Sequence, residues 1–345
     1  MQNRIGFIDA LRGFTMLLVV FGHVISISLG RINEPFAQFF LTFRMPLFFF
    51  ISGFIGYKPI EKWNLKFYWS RLRKKAFVQI VPATIFVLVS FAWFNTDIYK
   101  FFFVNSLGGF WFTYCLLEMF AIYYTLSLLA HVLKLKSCMP AMMLLSLMGG
   151  VFLAVGNRSG GPLYSLFMIE SLTKYLQFFT AGLLVRKFWE SVTKVLANEK
   201  FFNCAFVLFV VLFIIMYIEG LPNVVYKLIH DVVIRYVGAA VVFSIFFHER
   251  EKLNEPDKAK VLKFIGRRTL DIYLIHNFFV PNLSFMLPAL EHGNQVIIEL
   301  LVSVMTTALI VTVCLAVSWI IRRSDTLAWY CFGVSKKKPE IGNNV

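Results

Sequence analysis

Residues 8–29 read IDALRGFTMLLVVFGHVISISL, and at 1.5 Å per residue this run is long enough to cross about 30 Å of bilayer hydrocarbon. It nevertheless carries Asp9, Arg12 and His23. The rest of the chain decides whether the run is a membrane span or a buried helix of a soluble domain. Of 345 residues, 59% are hydrophobic, 17% aromatic and only 15% charged, with a mean hydropathy of +0.72. Soluble chains are about a quarter charged, and a globule still needs a polar surface. The composition therefore points to lipid as the solvent and to an all-α polytopic membrane protein.

Nine further apolar stretches repeat the first, near residues 36–57, 76–94, 109–130, 139–156, 163–185, 202–218, 229–247, 269–289 and 296–320. Ten spans place both termini on one side. Lys and Arg concentrate in cytoplasmic loops, and here 26 of the 34 basic residues fall on the side of the termini and four on the other. The remaining four, Arg12, Arg44, Lys174 and Arg235, fall in or at the ends of spans. The formal net charge of +15 is thus read as orientation, with both termini cytoplasmic. Residues 1–330 read as one integral-membrane domain and 331–345 as a basic cytoplasmic tail.

Five cysteines without paired spacing argue against disulfides and zinc, and no metal site is expected. The first span is too long and too polar for a cleaved leader. The loop charge needs no nucleic acid, since orientation and anionic headgroups account for it.

Ionisable groups within spans cost a few kcal/mol or more near the bilayer centre, so they mark candidate sites. Glu170 with Lys174, and Asp231 with Arg235, stand four apart and read as helix-face pairs. Asp9 and Arg12 share a face near the cytoplasmic end. Eleven residues separate Arg12 from His23, and eleven steps of 100° return to within about 20°, so both lie on one seam roughly 16 Å apart. In the second span Arg44 precedes Pro46, which either breaks or kinks the helix, followed by Ser52 and Gly53. Tyr273 and His276 share a face of the ninth span, and Trp111 and Glu118 a face of the fourth.

These residues resemble acyltransferase family 3, integral-membrane enzymes that acylate envelope components of bacteria. The resemblance is carried by Asp9-Ala-Leu-Arg12-Gly with His23 eleven residues on, by Met-Pro-Leu-Phe-Phe-Phe-Ile-Ser-Gly-Phe at 45–54, and by Ile-Tyr-Leu-Ile-His at 272–276. The order and ten-span layout are similar over essentially the whole chain, most of all to the short fucose 4-O-acetylase-like branch. Two positions depart from it: Arg44, where some relatives have His, and Thr113, where an apolar residue is common.

The resemblance implies an O-acetyltransferase of the bacterial inner membrane. Acyl-CoA, most simply acetyl-CoA, is its cytoplasmic co-substrate with no permanently bound cofactor, and its acceptor is a glycan or lipid-linked glycan. The anionic donor needs a basic mouth, offered by Arg12, Arg71, Arg73, Lys74, Lys75, Arg267 and Arg268. The pantetheine arm, roughly 15 to 20 Å when extended, matches the distance from Arg12 to His23. His23, with an ordinary pKa near 6.5, is then the general base, with Asp9 organising Arg12. Arg44, Ser52, Trp111, Glu118, Tyr273 and His276 are candidates for holding the acceptor or the oxyanion. Membrane lipids are the other expected partners, and the oligomeric state stays open. Two other classes share these features: a glycan or lipid transporter, recognised by flux without acyl-CoA, and a haem protein using His23 and His276, recognised by its colour.

Overall fold

The computed structural model describes residues 5–31, 35–94, 109–155, 162–216, 226, 228–286 and 296–334. Arg4, Lys100, Arg158, Lys227 and the lysines at 336–338, all part of the charge argument, lie outside the described residues. No strand occurs among the described residues. Among the described residues six helical stretches are long and apolar enough to cross a membrane: Gly6–Ser28, Ala37–Gly56, Leu65–Phe94, Trp111–Val132, Ile229–His248 and Val296–Ile321. The pair Trp189–Leu196 and Glu199–Ile215, bent by 75°, makes a seventh if it is one span.

The remaining stretches take other helical forms. Helix Met139–Val155 has 17 residues. The stretch at 163–185 becomes Pro162–Leu166 and Ile169–Lys187, separated by a turn in which Met168 has φ 46°. The stretch at 269–289 shortens to Thr269–Ile275 followed by a 3-10 turn, His276–Phe279. An all-α polytopic chain is what the apolar runs require, because every backbone N–H and C=O must be satisfied within the segment.

Below, α1 is Gly6–His23, α2 Pro35–Gly56, α3 Leu65–Phe94, α4 Trp111–Val132, α5 Met139–Val155, α6 Pro162–Leu166 and α7 Ile169–Lys187. Then α8 is Trp189–Leu196, α9 Glu199–Ile215, α10 Ile234–His248, α11 Arg250–Asn254, α12 Lys260–Arg267, α13 Thr269–Ile275, α14 Val296–Ile321 and α15 Asp325–Phe332. The span beginning at Gly6 is the central one. Its apolar window is 67% buried against 28% for Val296–Ile321, which places the latter at the lipid-facing edge.

Two crossings fix the centre, and both use small residues to bring backbones together, as membrane helices do without a hydrophobic drive between them. A Cβ at Gly13 of α1 would meet the Leu262 carbonyl of α12, and one at Gly266 the Asp9 carbonyl. Likewise Gly53 of α2 faces the Phe179 carbonyl of α7, and Gly182 the Phe50 carbonyl. The edge helix α14 turns a buried stripe of Glu299, Ser303, Thr307, Cys314 and Ser318 inward. Helix α15 folds back on α3, with Trp329 stacked on Phe77 at 4.7 Å and Phe332 buried.

The backbone breaks where the sequence does not advertise it. Helix α2 is continuous across Pro46. The α-helical geometry instead ends at His23, which is followed by a π-helical segment Val24–Ser28, and at His276, which opens the 3-10 turn.

Candidate active site

These two breaks bring two histidines together. The His23 and His276 rings lie 5.0 Å apart between centroids, inclined by 58°. His276 is fully buried, and its Nδ1 meets the carbonyls of Ile272 at 3.0 Å and Tyr273 at 2.8 Å. A ring nitrogen facing carbonyls must carry the proton, so His276 is the Nδ1–H tautomer. Its Nε2 is then a lone-pair acceptor, buried and without a hydrogen-bond partner among the described residues, as is Nδ1 of His23. Such π turns recur at functional positions because they re-aim a side chain within an otherwise regular helix.

Arg44 reaches the same place from α2. Its Nη1 donates to the Val19 carbonyl of α1 at 3.3 Å. The guanidinium occupies the notch that Gly22 leaves, since a Cβ there would overlap Nη1. The Gly22-His23 pair thus serves two neighbours: the glycine admits the cation, and the histidine faces the second ring. One bond to Val19 uses one of five guanidinium donors.

A cavity of about 250 Å³ opens between α1, α2, α3, α4 and α13. Arg12, Lys75, Gln79 and Thr269 supply polar lining, and Val19, Phe48, Phe112 and Tyr273 are among its apolar and aromatic walls. Arg12 donates through Nη2 to Thr269 Oγ1 at 2.7 Å. Lys75 Nζ lies 3.7 Å from the centroid of the Phe120 ring. On α1 the lining comprises Arg12 and Val19, and Val19 is one helical turn before His23, so the cavity ends about a turn short of the histidines.

The basic mouth divides. Lys75 and Arg12 line the cavity, whereas Arg73 and Lys74 are exposed and Arg71 lies over Phe67 at 4.8 Å. Beside them, burial together with Arg71, Lys62 and Arg186 lowers the Lys58 ammonium from its usual range, a sign of crowded positive charge. Arg267 pairs with Asp9 at 3.5 Å, tying the start of α1 to the end of α12. Arg268 pairs with Asp271 at 3.5 Å.

The other sequence candidates have structural partners or none. Ser52 lines the cavity but donates to the Phe48 carbonyl at 2.9 Å. Tyr273 accepts from the Phe112 N–H at 3.1 Å and donates to the Gly109 carbonyl at 2.8 Å. Its single proton is therefore committed to positioning the start of α4. Trp111 stacks on Tyr175 at 5.7 Å. Glu118 Oε2 is buried without a hydrogen-bond partner among the described residues.

Several contacts were outside the reach of sequence reasoning. Asp271 accepts two bonds from Arg322, each 2.8 Å, and one from Ser318, an interhelical contact that no spacing reveals. Lys174 turns to Asp231 at 3.8 Å across helices, not along its own helix to Glu170, while the expected Asp231–Arg235 pair forms at 3.1 Å. Thr269 and Gln79 lack any motif of their own. The signal for Tyr175 was present as a polar aromatic beside an in-span lysine.

No curated protein and no solved structure matches the chain. The family described as Acyltransferase domain matches residues 5–323. That match includes α1, helix α2 with Arg44 and the break at His276, and covers nearly the whole length: the chain belongs to acyltransferase family 3, the integral-membrane acyltransferases.

Proposed function

We propose that this membrane acyltransferase moves an acetyl group from cytoplasmic acetyl-CoA to a hydroxyl of a cell-envelope or exported glycan, with His23 as general base. The reading includes ten spans in the bacterial inner membrane, with both termini and the Arg12 end of the cavity on the cytoplasmic side. The observation that carries it is the alignment on one face of α1 of Arg12, which lines the cavity together with Lys75 of α3, and His23, whose ring faces His276. The phosphates of the donor sit at the mouth, where a guanidinium binds them bidentately. The pantetheine arm follows the cavity, and the thioester carbonyl arrives beside His23.

The acceptor hydroxyl gives its proton to His23 as its oxygen bonds to the carbonyl carbon. The tetrahedral oxyanion then collapses, the C–S bond breaks, and the leaving thiolate takes the proton back from the imidazolium. Arg44 supplies the charge that faces the oxyanion, because its N–H groups stand one residue from His23. Tyr273 is a wall and not a donor in this scheme.

The experiment is acyl transfer by the purified full chain from radiolabelled acetyl-CoA, with mass spectrometry of envelope glycans from cells with and without the gene. Replacing His23 with Ala should leave a folded, inserted protein and remove transfer by at least about 100-fold, the smallest usual effect of losing a general base. Wild-type acylation by that variant would overturn the assignment.

A further inference from the structure

One polar group on the wall of the cavity has no task in the reaction proposed above. Gln79 stands midway along α3, is 6% exposed and lines the cavity. Its Oε1 is buried without a hydrogen-bond partner among the described residues. The other uncharged polar side chains of the wall are engaged. Ser52 donates to the Phe48 carbonyl, Thr113 to the Phe110 carbonyl at 3.0 Å and Tyr273 to the Gly109 carbonyl, so none of their protons is free for Gln79. Thr269 accepts from Arg12. The turn of α3 that carries Gln79 offers a second acceptor: Pro82 lies inside the helix and has no N–H for the Val78 carbonyl, and Val78 also lines the cavity.

An amide oxygen buried in an apolar span costs free energy unless a donor reaches it. The cavity therefore favours a ligand that brings an N–H to this level. Lys75 precedes Gln79 by four residues and lines the same cavity, so the two stand on one face of α3 about 6 Å apart along the axis. In the pantetheine arm of acyl-CoA the first amide nitrogen follows the phosphorus by six bonds, the length of two extended residues or roughly 7 Å. A phosphate held by Lys75 and Arg12 brings that N–H to the level of Gln79.

We infer that Gln79 accepts a hydrogen bond from the first amide of the pantetheine arm and so selects pantetheine thioesters among the anions of the cytoplasm. Arg12 and Lys75 attract any phosphate, whereas the Gln79 oxygen stabilises only a ligand that carries the arm. The inference rests on the proposed use of acetyl-CoA, and binding measured without chemistry separates the two.

The test is equilibrium binding of CoA, and of its 3′-phospho-ADP half, which has the phosphates without the arm, to the full chain in detergent. Gln79→Leu should weaken CoA binding about tenfold, since the ligand N–H is left unpaired in a buried site. It should leave binding of 3′-phospho-ADP and the thermal midpoint at wild-type values. Gln79→Met, which keeps the length of the side chain and lacks the carbonyl, should give the same results. A CoA analogue with an ester in place of the first amide should bind the wild-type chain about tenfold more weakly than CoA does, and should bind Gln79→Leu as well as CoA does. Wild-type affinity for CoA in both variants, or equal losses of CoA and 3′-phospho-ADP, overturns the role of Gln79. An equal penalty for the ester in wild type and variant overturns the pairing with that amide. A wild-type chain that bound no CoA would overturn the donor of the proposed function, and this assignment with it.

Discussion

His23 and His276, from opposite ends of the chain, place their rings 5.0 Å apart, and only one of them has its protonation fixed by the backbone. The carbonyls of Ile272 and Tyr273 hold the proton of His276 on Nδ1, so its Nε2 is left as a buried lone-pair acceptor on a ring that faces His23. This makes His276 a positioning residue for the proposed base.

His276→Ala should therefore reduce kcat about 100-fold, the scale of a misplaced reacting group, and should also shift the acid limb of the pH–rate profile. A merely structural role would lower the thermal midpoint and leave the profile of the surviving activity unchanged.

Arg12 and Lys74 belong to the same basic collar but occupy different positions. Arg12 lines the cavity and bonds Thr269, whereas Lys74 is exposed. Arg12→Gln should raise the KM for acetyl-CoA about tenfold, the loss of one charged contact, with a smaller change in kcat. Lys74→Gln should leave steady-state kinetics at wild-type values. Equal effects of the two substitutions on KM would show that bulk charge, and not the cavity, holds the donor.

Asp271 is 2% exposed and receives Arg322, Arg268 and Ser318, which joins α13 to α14 below the histidines. Asp271→Asn should destabilise the protein by about 2 kcal/mol, because it removes the charge from a buried carboxylate that accepts two hydrogen bonds from the half-buried Arg322 guanidinium. Denaturation in mild detergent measures this, and Asp271→Leu combined with Arg322→Met should recover much of the loss.

Gly53 and Gly150 separate packing from propensity. A Cβ at Gly53 runs into the Phe179 carbonyl, while one at Gly150 meets open space. Gly53→Ala should lower the thermal midpoint and reduce activity by moving α2, and with it Arg44, away from α7. Gly150→Ala should match or exceed wild-type stability, since alanine favours helix by about 1 kcal/mol over glycine. Equal midpoints for the two variants would argue against close packing of α2 on α7.

The chain by itself determined the solvent and the all-α class. Long apolar runs in a chain with 15% charged residues leave no other stable state than helices in lipid. It also disclosed the Arg12–His23 seam, because both residues lie on one helix, where position follows from 100° per residue. The same local logic gave the Asp231–Arg235 pair. It left Pro46 open as a break or a kink, and α2 passes through it; the changes of helical geometry at His23 and His276 had no signal in the sequence, since neither residue is a helix breaker.

What only the tertiary structure decided is which distant side chains meet. Gly22 makes room for Arg44, Asp271 holds Arg322, the Tyr273 proton goes to Gly109, and Lys174 leaves Glu170 for Asp231. None of these contacts has a period or a spacing in the sequence. Each depends on how closely two helices cross and which faces they turn to each other, and in a membrane that is settled by small residues and buried polar partners, terms that appear only when the helices are assembled.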